Sequence, residues 1–259
     1  MPQTATKSPR WLMALGRKDL PETAEIDLQT YRLIRCFKHD FFAATGLYEA
    51  QGGQRLILKL GRQAPLLFLP LRWIGRLLAH HEARLYALAQ GLEGIPRFLG
   101  RWGPTGIAHE YVEGRPLLKD DHVDDAFFPR LRELLDQLHA RQIAYVDLEK
   151  RENVLLGDDG RAYLIDFQIS WHWHASRGGN LWPFRKLLGM LQASDGYHLI
   201  KHWRRLRPDQ LDWERIEASY RAPFWIRWHR LIFRPWTLLR RRILFWMGAR
   251  DSASVRSPG

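Results

Sequence analysis

The 259-residue chain carries 40 Lys and Arg against 28 Asp and Glu, a formal net charge of +12. Its apolar fraction of 46% and its 12 Trp residues exclude a disordered chain, and a single cysteine, Cys36, excludes an internal disulfide and fits a reducing compartment. The excess of positive charge calls for an anionic partner: nucleic acid, an acidic membrane surface or a phosphorylated ligand.

Residues 1–25, with Pro2, Pro9, Pro21 and mixed charges, read as a loosely held extension without a secretory leader. From "YRLIRCF" the pattern becomes strand-like, and "GLYEAQ-GGQ-RLILKL" reads as a hairpin around a Gly-Gly turn. The longest apolar stretch, "APLLFLPLRWIGRLLA", is interrupted by Arg72 and Arg76 and is too short to span a bilayer. The helix expected next, in "RLLAHHEARLYALAQGL", places Leu77, Leu78, His81, Leu85 and Leu88 on one face. "RFLGRW" and "IAHEYV" read as strands joined at "GPTG".

In "DDAFFPRLRELLDQLHARQ" Asp residues stand before the first turn as candidate caps. Phe128, Leu131, Leu134, Leu135 and Leu138 form an apolar stripe behind them. "NVLLGDDGRAYLIDF" reads as two short strands around an Asp-Asp-Gly turn, and everything beyond residue 180 as helical. Over 221–250, Arg221, Arg227, Arg230, Arg234 and Arg240 to Arg242 accompany Trp225, Trp228, Trp236 and Trp246 with no acid among them. That is a basic amphipathic helix, kinked at Pro235, suited to an anionic membrane face or to packing on the second lobe. Single-stranded RNA ranks third, because no RNA-binding motif accompanies the pattern. His172 and His174 alternate in "WHWH", but without a third ligand nearby a solvent-facing strand outweighs a metal site.

The chemistry concentrates in "YVDLEKREN" and "LIDF". Asp147, Asn153 and Asp166 give acid, amide and acid, the set a phosphoryl-transfer site uses for a base and two metal ligands. Metal ions of that kind are hard cations that take oxygen ligands. An acid between Leu164-Ile165 and Phe167 calls for a partner, and a metal is the economical one.

Together with "LILK" and "EYVEGRPL", in this order and at these distances, the motifs resemble the protein-kinase-like superfamily over most of residues 30–195. The resemblance implies an α+β, two-lobed fold: an antiparallel-sheet lobe over 26–112, a helical lobe over 113–220 and the basic tail over 221–259. It implies ATP and Mg2+ as cofactors. Asp147 would be the catalytic base, with Lys150 neutralising charge beside it and Asn153 and Asp166 holding metal. Lys59 would contact phosphates, fixed by Glu82, although by itself Lys59 reads more readily as a solvated strand lysine. Gly46 is what remains of a glycine-rich loop, and Glu110 and Val112 stand at the hinge that meets the nucleotide.

The chain departs from the family pattern in several places. Asn153 lies six residues after Asp147 where five is usual, so one residue must bulge. Tyr145-Val146 replaces the usual His-Arg, and Gln168 replaces the Gly after Asp-Phe. The segment after "LIDF" is short, leaving little platform for a peptide. These features resemble the atypical bacterial kinases, and the basic aromatic tail leans toward the lipopolysaccharide core-sugar kinases over the RIO-type kinases. The expectation is a monomeric cytoplasmic kinase, peripheral on the inner membrane face, acting on a hydroxyl of a saccharide or lipid-linked sugar. A compact RIO-like Ser/Thr protein kinase is the alternative, and a pseudokinase binding module the third reading. Retention of Lys59, Glu82, Asp147, Asn153 and Asp166 argues against the last.

Overall fold

The structure, a computed structural model, describes residues 10–66, 69–173 and 182–220. The basic stretch 221–250, His174 and most of the segment that follows "LIDF" lie outside the described residues. The described chain divides into two compact units. One runs up to His81 and adds Leu99–Tyr111; the other joins Glu82–Phe98 to the chain from Val112 onward. The division between Tyr111 and Val112 falls inside the hinge-like "EYVEGRPL".

The first unit is built on a six-stranded sheet: β1 (Thr23–Ile26), β2 (Gln29–His39), β3 (Ala43–Ala50), β4 (Arg55–Gly61), β5 (Phe98–Trp102) and β6 (Gly106–Glu110), in the order β1-β2-β3-β4-β6-β5. The β3–β4 hairpin closes where the Gly-Gly turn predicts it, with Glu49 opposite Arg55 and Thr45 opposite Lys59. Alternation along β4 sends Leu56, Leu58 and Leu60 into a core shared with Tyr48, Ala44 and Ala108, which turns Ile57 and Lys59 to the opposite face.

Of the loose extension expected over residues 1–25, the described part from Arg10 onward is tied into the first unit. Leu12 and Ala14 are buried, and Ala14 N donates to Asp40 O at 2.7 Å while its carbonyl accepts Gln63 N at 2.8 Å. The Arg62 guanidinium, 3% exposed, binds the carbonyls of Leu12 (3.0 Å), Phe41 (2.7 Å) and Pro65 (3.3 Å) and lies over the Phe41 ring at 4.1 Å. A buried cation needs such acceptors, and the N-terminal segment supplies one of them.

Helix α1 (Arg72–Ala89) begins one turn earlier than the sequence predicts and buries a different face. Ala79, Glu82, Ala83, Leu85, Tyr86 and Ala89 are buried, whereas Leu77 is 62% exposed. Small residues account for the rotation. A Cβ on Gly75 would collide with the Arg62 carbonyl, so the helix backbone closes directly onto the strand end.

The second unit contains α2 (Phe127–Ala140), α3 (Trp182–Leu206) and α4 (Trp213–Tyr220). It also holds a small sheet of β7 (Gly114–Pro116), β9 (Val154–Gly157) and β10 (Ala162–Leu164), and the pair β8 (Ile143–Ala144) with β11 (Trp171–His172). The apolar stripe of α2 is buried as expected, with Phe128 stacked on Trp203 of α3 at 5.4 Å. The Asp residues before α2 do not cap it. Ala126 is the N-cap without a side-chain bond, and Asp125 pairs instead with Arg207 at 2.6 Å. Strand β7 was not expected at all; its three residues lie in the stretch read as hinge.

The exposed row of α1 is open to a direct test. Leu77→Ser should change unfolding stability by no more than about 0.5 kcal/mol, while Leu85→Ala should cost about 2–5 kcal/mol. Urea unfolding of the two variants checks this, and a large loss at Leu77 would contradict the observed face.

Candidate functional site

β8 is followed at once by Tyr145, Val146 and Asp147. Val146 has φ of 69°, a left-handed conformation that a β-branched residue adopts only under constraint. The constraint is Asp195, fully buried in the middle of α3. Its Oδ1 accepts Val146 N at 2.7 Å, and its Oδ2 accepts Tyr145 N at 2.8 Å and lies 3.1 Å from His139 Nε2. Two further groups of α3 grip the same stretch. His202 Nε2 meets the Leu148 carbonyl at 2.7 Å, and Gln192 Nε2 donates to the carbonyl of His139 at 3.1 Å.

Held in this way, Asp147 is buried and receives two hydrogen bonds at Oδ2, from Lys150 Nζ at 2.7 Å and Asn153 Nδ2 at 2.8 Å. Burial pushes the Asp147 carboxyl above its ordinary value. The Lys150 ammonium and the Asn153 amide pull it back, and the Asp166 carboxylate adds to the rise. The extra residue between Asp147 and Asn153 is taken up by two tight turns. Lys150 N donates to Asp147 O at 3.2 Å, Asn153 N donates to Lys150 O at 3.1 Å, and Arg151–Asn153 forms one 3-10 turn.

Asp166 also has a left-handed backbone, φ 63°, and its N–H faces the Tyr86 hydroxyl at 3.4 Å. The Tyr145 hydroxyl lies against the Ile165 carbonyl and 3.4 Å from the Asn153 carbonyl, so a single phenol spans the two stretches that carry Asn153 and Asp166. Burial raises Tyr86 and Tyr145 well above the usual phenol range, and nearby carboxylates, Glu82 and Asp166 for Tyr86, Asp166 and Asp147 for Tyr145, reinforce it. Glu82, 3% exposed, therefore stands within electrostatic reach of the same cluster.

The donor set suits a hard cation. The Asn153 amide nitrogen is committed to Asp147, which directs Oδ1 away as the oxygen for a metal, and Asp166 adds a carboxylate. Among the described residues no group of three or more His, Cys, Asp or Glu could hold a metal ion by itself. His174 lies outside the described residues, so the His pair of "WHWH" falls outside that statement. His172 lies in β11, and the rings around it form a shelf: Trp171, 43% exposed, stacks on Trp173 at 6.1 Å, which stacks on Phe184 at 4.2 Å. Trp171 is registered opposite Ala144, three residues before Asp147.

The remaining predicted residues fall in other elements. Lys59 is in the interior of the first unit's sheet, between Thr45 of β3 and Ile107 of β6. Gly46 is inside β3 rather than in a loop. A Cβ there would come within 2.8 Å of the side-chain ends of Leu20 and Leu33, which would have to shift to admit it. The turn before β3 is instead held by Asp40 Oδ1, which accepts Phe42 N at 2.8 Å and Ala43 N at 3.0 Å. Glu110 ends β6 in the first unit and Val112 opens the second. Asp195, His202 and the tyrosine pair were missed by sequence reasoning. One signal was present: Ser194-Asp195-Gly196, three poor helix formers in a helix interior.

No family model matches the chain, and no curated protein matches it. Among solved structures it is similar to the Rio2 kinase–ADP/Mg2+–phosphoaspartate complex from Chaetomium thermophilum. The TM-score is 0.52 and the identity 15%, over 76% of this chain and 59% of that one. A second Rio2 kinase structure from the same organism gives 0.47 and 14%, over 64% and 54%. The chain thus spans little more than half the length of these neighbours. The first likeness shows the fold, two-lobed, α+β and protein-kinase-like. These neighbours are RIO-type kinases, and they give no support to the core-sugar kinase branch toward which the tail leans.

Removing the Asp195 carboxylate leaves two backbone amides without acceptors in the interior. Asp195→Ala should therefore cost roughly 3 kcal/mol in urea unfolding, with a smaller loss for Asp195→Asn, which keeps one acceptor. Burial lowers the pKa of His202. A depressed imidazole contributes stability that is present above its ordinary value near 6.5 and lost as pH falls below it. Stability should decline from about pH 7 to 5, and more shallowly in His202→Gln; an identical slope in both proteins would exclude His202 as the source.

Proposed function

We propose that the protein is an ATP-dependent phosphotransferase acting on a hydroxyl acceptor. The observation that carries this reading is the buried Asp147, hydrogen-bonded at one oxygen by Lys150 and Asn153, with Asp166 close enough to raise its pKa. Both donors take Oδ2, which leaves Oδ1 to meet an acceptor hydroxyl, orient it and accept its proton. The raised pKa improves that base, while the Lys150 ammonium limits the rise. Asn153 Oδ1 and the Asp166 carboxylate would hold Mg2+, which supplies charge neutralisation to the transferring phosphoryl group. Lys59 and Glu82 would serve the nucleotide phosphates in the manner the kinase-like fold implies.

For the acceptor we favour a saccharide. The support is the stacked shelf of Trp171, Trp173 and Phe184, on the strand paired with the one that leads into Asp147. Flat aromatic faces suit the apolar faces of sugar rings. The likeness to Rio2 kinase favours a second reading, a compact protein Ser/Thr kinase. Incubation with labelled ATP and separated lipopolysaccharide, lipid and protein fractions distinguishes the two by which fraction takes the label.

Asp166→Asn and Asp147→Asn should each lower Mg2+-dependent turnover by at least about 1000-fold, since each removes several kcal/mol of transition-state stabilisation. Melting temperatures should stay near that of the parent. Asp147→Asn should even be slightly more stable at neutral pH. A carboxyl whose folded pKa is raised contributes stability only at low pH and loses it as pH rises through that pKa. Wild-type turnover in either variant would remove the assignment.

A further inference from the structure

The outward face of α1 combines two rows one residue apart. Trp73 and Leu77, one helical turn apart, are 60% and 62% exposed, and Leu69, three residues before the helix, is 62% exposed. Beside them run Arg72, Arg76 and His80, all exposed. Leu66 and Leu69 exchange backbone hydrogen bonds at 3.0 and 2.9 Å, which sets Leu69 just ahead of the helix. An exposed apolar patch marks an interaction site.

The charge identifies the partner. Between residues 50 and 92 the sole acid is Glu82, and it is buried at 3% exposure, so the helix and the chain leading into it present cations and no exposed acid of their own. Shape agrees. A helix ridge of alternating aromatic, aliphatic and guanidinium groups is convex and suits a plane, with Trp at the interfacial depth and Arg at the headgroups. No helix among the described residues is long and apolar enough to cross a membrane, so the contact would be peripheral. The face is also fixed in rotation, because Gly75 closes onto the Arg62 backbone and the Arg62 side chain holds the Pro65 carbonyl at 3.3 Å.

We propose that this ridge seats the protein on an anionic lipid surface. Leu69, Trp73 and Leu77 enter the interfacial layer, and Arg72 and Arg76 meet lipid phosphates. The proposal stands apart from the phosphotransferase reading, since none of these residues belongs to the site around Asp147.

The test uses the full chain and flotation with vesicles of phosphatidylcholine, alone or equimolar with phosphatidylglycerol. Binding should require phosphatidylglycerol and weaken with salt, because surface attraction is screened within about 10 Å at 0.1 M. The double variant R72Q/R76Q should bind about 25-fold more weakly, roughly five-fold per charge removed. W73S/L77S should lose at least about ten-fold with its melting temperature and ATP turnover unchanged. Cys36 is a free, exposed cysteine, so C36S/L77C takes an environment-sensitive dye at the ridge, whose emission should shift blue on phosphatidylglycerol vesicles only. Full vesicle binding by W73S/L77S, or an unshifted dye on bound protein, would overturn the proposal by assigning adsorption to other basic segments. So would self-association that W73S/L77S abolishes in a protein that ignores vesicles.

Discussion

A carboxylate in the middle of a long helix determines where Asp147 stands. Asp195 is fully buried and holds three groups, the amides of Tyr145 and Val146 and the His139 ring. Without those acceptors the left-handed Val146 would have every reason to relax toward an extended conformation, since φ of 69° strains a β-branched residue by an amount on the order of 1–3 kcal/mol. Relaxation there would re-aim the next residue, Asp147. The rest of the site inherits its geometry from this clamp: Lys150 and Asn153 are positioned against Asp147, and His202 secures the Leu148 carbonyl from the same helix.

The parts of the site written in consecutive residues were legible in the sequence. Asp147, Asn153 and Asp166 could be named because each is a polar residue beside an apolar run, where a charge or amide needs a chemical reason. The hairpins were legible for the same local cause, since Gly-Gly and Asp-Asp-Gly define their turns. What could not be read are the pairings across distance. Asp195 lies 49 residues after Val146, and no periodicity marks which helix will meet a loop. The α1 face shows a related failure. Leucine spacing put Leu77 inward, but Gly75, Ala79 and Ala83 allow a closer approach than leucine would, and the helix turned its small side in. Arg62 likewise reads as a solvated strand-end residue until Leu12, Phe41 and Pro65 surround it.

The departures from the kinase pattern acquire physical content in the structure. With one residue more than usual, the loop from Asp147 to Asn153 could have carried the amide away from the carboxylate. Two successive tight turns absorb the excess, and the amide still reaches Oδ2 at 2.8 Å. Tyr145, which stands where the family has His, is fully buried, and its hydroxyl meets the carbonyls of Ile165 and Asn153. Ile165 N in turn donates to Asn153 O at 3.1 Å, and Ser170 Oγ to Tyr145 O at 2.7 Å. Asn153 and Asp166, the two candidate metal ligands, are thereby tied through backbone and one phenol to the strand that leads into Asp147. A phosphoryl-transfer site depends on fixed positions more than on reactive groups. Tyr145 adds bonds that fix positions here, and the longer loop still brings the Asn153 amide to Asp147.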